Sequence, residues 1–287
     1  MATPTVRRLQ LGNELRHARQ KAGFEQHEAA KELDCVSSSK ISRLELGQGG
    51  ITKGDLKLLL EFYGVDPADM QWMFELARTR STRGRWTGYR AVFPEWFRMY
   101  VDLETDAESI RHAQTEIIPG ILQTEGYIRA LHDAPVRTDG ESSDESVLAR
   151  QERQKSVSRE ANPPTLAFVL SESCLRRQVG TNAVMHDQLR YLEEIASRPN
   201  VDLQVMPFQA ATPVGGISYD FTLLQIPSSD ISSALEFVYV ESFDDARYLD
   251  DKDAVAAYTR QWNRLSAAAL GPSESLELIR SVGKQYS

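Results

Sequence analysis

Residues 26–45 read QHEAAKELDCVSSSKISRLE, which is typical of two short helices joined by a tight turn. Three apolar residues fall on one side of the first helix at helical spacing: Ala29, Ala30 and Leu33. Ile41 and Leu44 fall on a matching side of the second helix, three residues apart. Both apolar sides are predicted to face one shared core, so the stretch belongs to a helical bundle.

The outward face of the second helix is small, hydroxylated and basic. Its members are Ser38, Ser39, Lys40, Ser42 and Arg43. Short hydroxyls and a forked guanidinium can approach base edges and phosphates in a DNA major groove. Gln26 stands at the start of the first helix, where a side-chain amide and free backbone N–H groups can grip a phosphate. With Ser37 and Lys53 added, these residues are the predicted DNA contacts, and an ordinary helical hairpin with a polar face stays open as the alternative.

The flanking segments supply three more predicted helices. Residues 9–22 repeat apolar side chains at spacings of three and four, and a glycine follows. Thr52 is a good N-cap for a fourth helix, and the Asp-Pro pair at 66–67 opens a fifth. The residues predicted to be buried in these helices are Leu11, Leu15, Ala18, Ala22, Leu56, Leu59, Leu60, Tyr63, Met70, Met73, Phe74 and Ala77. Residues 1–78 are therefore predicted to form an all-helical domain.

Length and charge support two domains with different roles. A chain of 287 residues exceeds the usual single-domain size. Its net charge is −8, yet residues 1–85 carry 14 Lys and Arg against 11 Asp and Glu, so only this part suits a polyanion. The sequence shows no signal-like or membrane-spanning apolar run, and we expect a soluble cytoplasmic protein. Cys35 and Cys174 match no metal-binding spacing and are expected to be free thiols.

The pattern changes after the helical part. Residues 79–90 are predicted to be a basic linker, either a phosphate contact or a solvated hinge. Residues 91–287 are predicted to form an α/β regulatory or partner-binding domain, with a possible helical subdomain at 91–160. Strands are expected at 165–170, 201–205, 221–226 and 235–240, and helices at 148–156, from Asn182, and at 254–270. One parallel pair with antiparallel neighbours would make a mixed sheet.

The first domain resembles a known family. The strings RQKAGFEQ, AAKEL, SSSKISRLELG and YGV look like the lambda-repressor-like, or XRE, helix-turn-helix regulators. This resemblance implies that Gln26 anchors a phosphate and that Ser38, Ser39 and Arg43 face the bases. It also implies that Arg19 pairs with Glu45. The turn at 34–37 is one residue longer than the family's usual turn and has Asp34 where glycine is common, which leaves the register of the recognition helix open by one position.

The second domain also carries a resemblance. Residues 116–131 read EIIPGILQTEGYIRAL, similar to a PG-[LI]-LQT signature in a domain found downstream of XRE units in many actinomycete regulators. The similar strings extend over most of residues 86–277. Regulators of this kind are often encoded beside a small partner protein, in an arrangement resembling toxin and antitoxin. The resemblance therefore implies a domain that binds a protein partner.

The second domain offers few candidates for a binding site. Six aromatic residues occur between 86 and 100: Trp86, Tyr89, Phe93, Trp96, Phe97 and Tyr100. They favour the packing of a buried helix, with a ligand cage or a partner surface as the alternative. The candidates for ligand or partner binding are Trp96, Tyr100, Gln123 and Tyr127. The acidic residues between 244 and 253 are expected to cap the last helix.

No catalytic motif, phosphate-binding loop or metal-ligand spacing occurs in the sequence, so we expect no enzyme, cofactor or metal. The favoured hypothesis is a sequence-specific DNA-binding transcriptional regulator whose second domain binds a small, antitoxin-like partner protein. The alternative is a one-component regulator whose second domain senses a small molecule in a closed pocket. Because such DNA readers generally bind two-fold half-sites, we also expect a homodimer formed through the second domain.

Overall fold

The computed structural model describes residues 3–34, 37–78, 92–133, 143–210, 219–227 and 234–287. These residues fall into two compact units, one within 1–88 and 226–235, the other within 89–225 and 236–287. The predicted linker at 79–90 and the candidates Trp86 and Tyr89 lie outside the described residues, as does Cys35 in the lengthened turn. The predicted domain boundaries therefore stay predictions.

The N-terminal unit contains five described helices, as the sequence predicts. They are α1 (Pro4–Lys21), α2 (Gln26–Glu32), α3 (Ser39–Glu45), α4 (Lys53–Phe62) and α5 (Pro67–Ala77). One core joins them, and it includes Leu15, Ile41, Leu59 and Met73, each at most 2% exposed. Met70, Phe74 and Ala77 of the predicted set are only partly buried, as are Ala18 and Ala22.

The first helix begins earlier than predicted. It starts at Pro4, five residues before Leu9, because the Thr3 side chain caps it by accepting the Val6 N–H at 3.3 Å. Proline at the first helical position adds a fixed φ without losing a helical hydrogen bond. The apolar periodicity becomes regular only after residue 9, which explains why periodicity alone missed this turn.

The turn after α2 contains a residue in the left-handed region. Asp34 has φ of 50°, the conformation for which glycine is favoured and which Asp and Asn tolerate best among the other residues. The aspartate thus occupies the position that related turns fill with glycine. Beyond it, α3 begins at Ser39 with Ser38 as its N-cap.

The second unit is built on a six-stranded mixed sheet in the order β3-β2-β1-β4-β5-β6. The strands are β1 (Ser109–Gln114), β2 (Thr165–Ser171), β3 (Val201–Met206), β4 (Phe221–Ile226), β5 (Leu235–Glu241) and β6 (Ala246–Leu249). Strands β1, β2 and β3 are parallel, whereas β4 runs antiparallel to β1 and β6 antiparallel to β5. An α/β domain with a mixed sheet was predicted, and that fold class is confirmed.

Two details of the predicted sheet are wrong. The central strand β1, with the sequence SIRHAQ, was not predicted, because only Ile110 and Ala113 of its six residues are buried. Since β1 lies within residues 91–160, that segment is not a helical subdomain. With β1 in place the sheet has two parallel pairs, not one.

Helices cover the sheet. They are α6 (Glu95–Asp106), α7 (Glu125–His132), α8 (Ser143–Val157), α9 (Glu172–Arg176), α10 (Asn182–Ala196), α11 (Lys252–Ala268) and α12 (Pro272–Gly283), with short 3-10 turns at Gly120–Leu122 and Lys284–Tyr286. Val255, Trp262 and Leu265 of α11 pack in one core with Val169 and Val238 of the sheet. α11 is the helix predicted at 254–270.

Three helix ends differ from the prediction. Thr181, not Asn182, caps α10, with its side chain accepting the Val184 N–H at 3.4 Å. The charged helix α8 starts five residues before the predicted Leu148. Asp251 caps α11 by accepting the Ala254 N–H at 2.8 Å, but α11 is not the last helix because α12 follows it.

Candidate functional site

Helix α3 presents one polar face because its other face is anchored in the core. Ile41 and Leu44 are 1% and 5% exposed. Ser37, Ser39 and Arg43 are exposed, and the last two lie four residues apart, on one side of the helix. Within the part of the chain that the structure describes, the Arg43 side chain makes no hydrogen bond or ion pair. Its guanidinium is therefore available to a base edge or a phosphate.

A chain of hydrogen bonds links α1, α2 and α3. Arg19 donates from Nε to Glu45 Oε1 at 2.6 Å and from Nη2 to Oε2 at 3.1 Å. Its Nη1 donates to the Phe24 carbonyl oxygen at 2.6 Å. Gln26 Nε2 donates to Glu45 Oε2 at 2.9 Å. The hydrogen bonds to Glu45 raise the pKa of Arg19 above its usual value. The network fixes the end of α3 on α1 and orients the amide of Gln26 at the start of α2.

Two residues that support α3 were missed at the level of sequence. Gly12 of α1 lies so close to α3 that an added Cβ would be 2.6 Å from the carbonyl oxygens of Leu44 and Glu45. Arg16, one turn later, donates from Nη2 to the Glu45 carbonyl oxygen at 3.2 Å. A glycine inside an amphipathic helix was the available signal, since it weakens a helix unless close packing requires it.

The remaining predicted DNA contacts are partly engaged within the unit. Lys40 Nζ lies 2.8 Å from Asp55 Oδ2 on α4, and this hydrogen bond lowers the pKa of Asp55. Lys53 Nζ lies over the Phe74 ring, 5.9 Å from its centroid. Ser38 and Ser42 are half-buried. The face therefore combines one available guanidinium with lysines that already have partners.

The second unit contains a cavity of about 630 Å³ on the face of the sheet that carries His112 and Thr222. α6 and α8 line it, together with the segment from Gln114 to Gln123. Seven Phe, Trp and Tyr residues contribute to the lining: Phe93, Trp96, Phe97, Tyr100, Phe221, Tyr239 and Phe243. The aromatic residues of α6 thus serve both of the roles that the sequence left open, helix packing and the wall of a cavity.

Three of the four candidate residues in this domain line the cavity: Trp96, Tyr100 and Gln123. Tyr127 does not. Its side chain is fully buried, its hydroxyl accepts the Ile118 N–H at 3.3 Å, and burial raises its pKa to about 12. Tyr127 is a packing residue that positions the segment from Ile118 onward.

Tyr248 of β6 fixes the first turn of α6 at the cavity wall. Its hydroxyl donates to the Trp96 carbonyl oxygen at 2.6 Å and accepts the Tyr100 N–H at 2.9 Å. The rings of Phe97 and Tyr100 stack with centroids 5.2 Å apart, and Tyr100 lies 4.3 Å from the Tyr239 ring. These contacts hold the aromatic wall in a defined shape.

A buried ion pair lies at the base of the cavity. Arg153 of α8 donates from Nε and Nη2 to the two carboxylate oxygens of Glu104 on α6, at 2.8 Å each. The guanidinium carbon lies 4.9 Å from the ring centroid of Phe97 and 5.7 Å from that of Tyr100. Burial acts to lower the pKa of Arg153, but the charge and hydrogen bonds of Glu104 outweigh it and raise the pKa. Arg153 therefore carries its charge inside the domain.

The protonation state of His112 follows from its neighbours. Gln114 Nε2 donates to Asp220 Oδ2 at 2.6 Å, so Gln114 Oε1 faces His112 Nε2 at 2.8 Å as an acceptor. His112 must then carry its proton on Nε2, and Nδ1 accepts from the Thr222 hydroxyl at 3.2 Å. Burial lowers the pKa of His112, which is consistent with a neutral ring.

Gln123 is a buried amide with an unused acceptor. It is 2% exposed, and its Nε2 donates to the Ile118 carbonyl oxygen at 2.7 Å, which sets the orientation of the amide. Among the described residues, its Oε1 has no hydrogen-bond partner. Buried polar atoms are normally paired, so this oxygen can accept a hydrogen bond from a group in the cavity.

Two features are absent from the described residues. None of the helices in these ranges combines the length and the apolar composition of a membrane-spanning segment. No group of three or more His, Cys, Asp or Glu side chains there is arranged to hold a metal ion.

Comparisons with known proteins agree with the two units. A family model described as a helix-turn-helix domain matches residues 10–73. A second model, described as a domain of unknown function, DUF5753, matches residues 97–281. No curated protein and no solved structure matches the chain significantly. The helix-turn-helix match identifies a DNA-binding regulator, and because the second match spans more than half of the sequence, the chain belongs to the DUF5753 family.

Proposed function

We propose that the chain is a one-component transcriptional regulator. Its N-terminal helix-turn-helix binds duplex DNA through α3, and its second unit binds a small molecule in the cavity beside α6 and α8. The proposal treats the protein as a binding protein without catalytic activity. The observation that carries it is the cavity itself, together with its aromatic wall and buried polar base.

The cavity suits a small molecule in size and lining. Ligand sites commonly occupy roughly 300–1,000 Å³ and combine apolar walls with a few placed polar groups. The cavity of about 630 Å³ falls in this range. Its polar groups include the buried Arg153 and the unpaired Oε1 of Gln123. Burial of a polar group without a hydrogen-bond partner costs free energy, and a ligand that donates to Gln123 Oε1 would recover that cost.

The DNA-binding part of the proposal rests on α3. Ser39 and Arg43 share the exposed face, and Gln26 is held near it by Glu45. We propose that Arg43 reads a base edge, that Gln26 and Lys40 contact phosphates, and that Lys40 exchanges its bond to Asp55 for one to DNA. Such readers bind paired half-sites about one helical turn apart, so the proposal includes a homodimer. Light scattering of the chain with a palindromic duplex tests the dimer.

A small antitoxin-like partner protein is the second candidate for the second unit. Two apolar side chains that line the cavity and are exposed to solvent favour this candidate. Phe243 is fully exposed, and Ile117 is 38% exposed. A partner that inserts a side chain at this point would cover both.

A thermal-shift screen of the full-length chain against a metabolite library tests the proposed function. We expect at least one compound to raise the melting temperature of the chain and to change its DNA affinity. Trp96→Ala, in the cavity wall, should abolish the shift. Trp72→Ala, on the partly exposed surface of α5, is the matched control and should preserve it. No shift with any compound, combined with stoichiometric co-purification of the product of a neighbouring reading frame, would favour the partner protein.

A further inference from the structure

We propose that the cavity ligand is a small planar acid: an aromatic ring that carries a carboxylate. This inference rests on the proposed function and names the class of molecule that the cavity would take. The carboxylate would bind beside Gly120, between Arg150 and Arg153, and the ring would pack on the aromatic wall of α6.

Arg153 presents an unused edge to the cavity. Its Nε and Nη2 bond to Glu104, whereas its Nη1 makes no hydrogen bond within the described ranges. The side chain is 6% exposed, and the residue lines the cavity. A guanidinium has five N–H donors in a fixed planar arrangement, and one carboxylate can use only one edge of it. The second edge can donate hydrogen bonds to the carboxylate of a ligand.

Gly120 allows two arginines to converge at one place. A Cβ added there would be 3.3 Å from Arg153 Nη1, 3.5 Å from Arg150 Nε and 3.8 Å from Arg153 Nη2. These short distances show that the guanidinium groups of Arg150 and Arg153, which lie about one turn apart on α8, approach the same glycine. Both arginines line the cavity. Paired guanidinium groups at the base of a partly closed site favour an anion, and charge-assisted hydrogen bonds are the strong ones.

The acidic residues of the cavity do not favour a cation to the same degree, because most of their oxygens are engaged. Asp220 accepts from the backbone N–H and hydroxyl of Thr115 through Oδ1, and from Gln114 through Oδ2. Glu116 is exposed and pairs with Arg177. Glu241 is exposed and accepts the Tyr239 hydroxyl at 2.9 Å. None of the three provides a buried, unengaged carboxylate.

The aromatic wall next to the arginines favours a flat ligand body. Phe97 and Tyr100 stack on each other and lie against the Arg153 guanidinium. Trp96 contacts the Phe97 ring edge-on, with centroids 5.8 Å apart. A ring that packs here would place a short carboxylate side chain within reach of the arginines. Aromatic contacts of this kind add binding energy beyond the apolar area that they bury.

Isothermal titration calorimetry of the full-length chain with three matched probes tests the inference. Indole-3-acetate, indole-3-acetamide and tryptamine share one ring and carry a negative, neutral and positive side chain. We expect the acetate to bind about tenfold more tightly than the amide, because it adds charge-assisted hydrogen bonds, and the amine to bind most weakly. The inference would be overturned if the amide or the amine bound as tightly as the acetate or more tightly. It would also be overturned if none of the three probes bound.

Two variants locate the anion site. Arg150→Gln should weaken the acetate about tenfold and leave the amide unchanged. Gly120→Ala should weaken the acetate as well, because its methyl group occupies the space between the arginines. Unchanged acetate binding in both variants would overturn the site. The two proposals fail under different results. If no compound of the metabolite library stabilises the chain, the proposed function is wrong. If the amide or the amine binds best, only the inference of an acidic ligand is wrong.

Discussion

Arg19 on α1 holds both carboxylate oxygens of Glu45 at the end of α3, at 2.6 and 3.1 Å. The side chains are 9% and 3% exposed, so the pair is almost entirely withdrawn from water. The desolvation cost of a buried ion pair offsets much of its Coulombic attraction, but removal of one partner leaves an uncompensated buried charge. The relationship explains why α3 keeps its position against α1.

We predict that Arg19→Ala destabilises the N-terminal unit by about 3–5 kcal/mol, since it leaves Glu45 charged and buried. Chemical denaturation of the full-length chain measures this loss. Hydrogen exchange of the amides in α1 to α5 then shows that the loss lies in the N-terminal unit. The control is Lys57→Ala, which breaks the exposed pair between Lys57 and Glu61 at 3.6 Å. Exposed pairs contribute about 0–1 kcal/mol, so a similar cost for both variants would refute the special role of Arg19.

Gly12 is predicted to be required for the close approach of α1 and α3. Gly12→Ala places a methyl group 2.6 Å from the carbonyl oxygens of Leu44 and Glu45 on α3, so one helix must move. We expect a loss of about 1–3 kcal/mol in the free energy of unfolding and weaker DNA binding. Gly54→Ala in α4 is the matched control, because its nearest neighbour would be 3.8 Å away. Gly54 is exposed in the first turn of α4, so this variant should change the free energy of unfolding by less than about 0.5 kcal/mol.

The pair between Lys40 and Asp55 is predicted to compete with DNA. Asp55→Asn removes the carboxylate that lies 2.8 Å from the Lys40 ammonium, so less of the charge of the lysine is neutralised within the unit. We expect tighter DNA binding. We also expect the slope of log K against log salt concentration to become steeper by up to about one. Fluorescence anisotropy at several salt concentrations measures both. Glu61→Gln, elsewhere on α4, should change neither; weaker binding by Asp55→Asn would show that Asp55 supports the DNA-binding face.

His112 gives the second unit a predicted dependence on pH. Burial lowers its folded-state pKa below the ordinary value of 6.5, so in acid the unfolded chain binds a proton that the folded chain resists. Stability from this group is present above the unfolded pKa and is lost as the pH falls from 6.5 toward the folded pKa. At about pH 5.5 the loss reaches at most about 1.4 kcal/mol.

Thermal melts at about pH 7.5 and 5.5 check this dependence. His112→Gln keeps an N–H donor toward Gln114 but does not titrate, so its melting temperature should fall less on acidification than that of the parent chain. His27→Gln, at an exposed position, should behave like the parent. Parallel falls in all three proteins would exclude His112 as the cause.

The sequence predicted the helical unit more completely than the cavity, for a physical reason. Ile41 and Leu44 bury one face of a short helix, so local periodicity identifies both their burial and the opposite polar face. The cavity depends on contacts between distant residues, such as Glu104 with Arg153, 49 positions later. Strand β1 was missed because His112 and Gln114 face the cavity and interrupt its apolar pattern. Polar side chains that line a cavity therefore remove the apolar alternation by which a strand is predicted from sequence.

The central claim is that α3 reads DNA sequence. The most direct measurement is selection of duplexes from a random library by the full-length chain, carried out in parallel with the parent and Arg43→Ala. We predict that the parent enriches one motif and that Arg43→Ala loses about 1–3 kcal/mol of discrimination at one base pair while the rest of the motif persists. Enrichment of no motif by the parent, or of an identical motif by Arg43→Ala, would contradict the claim.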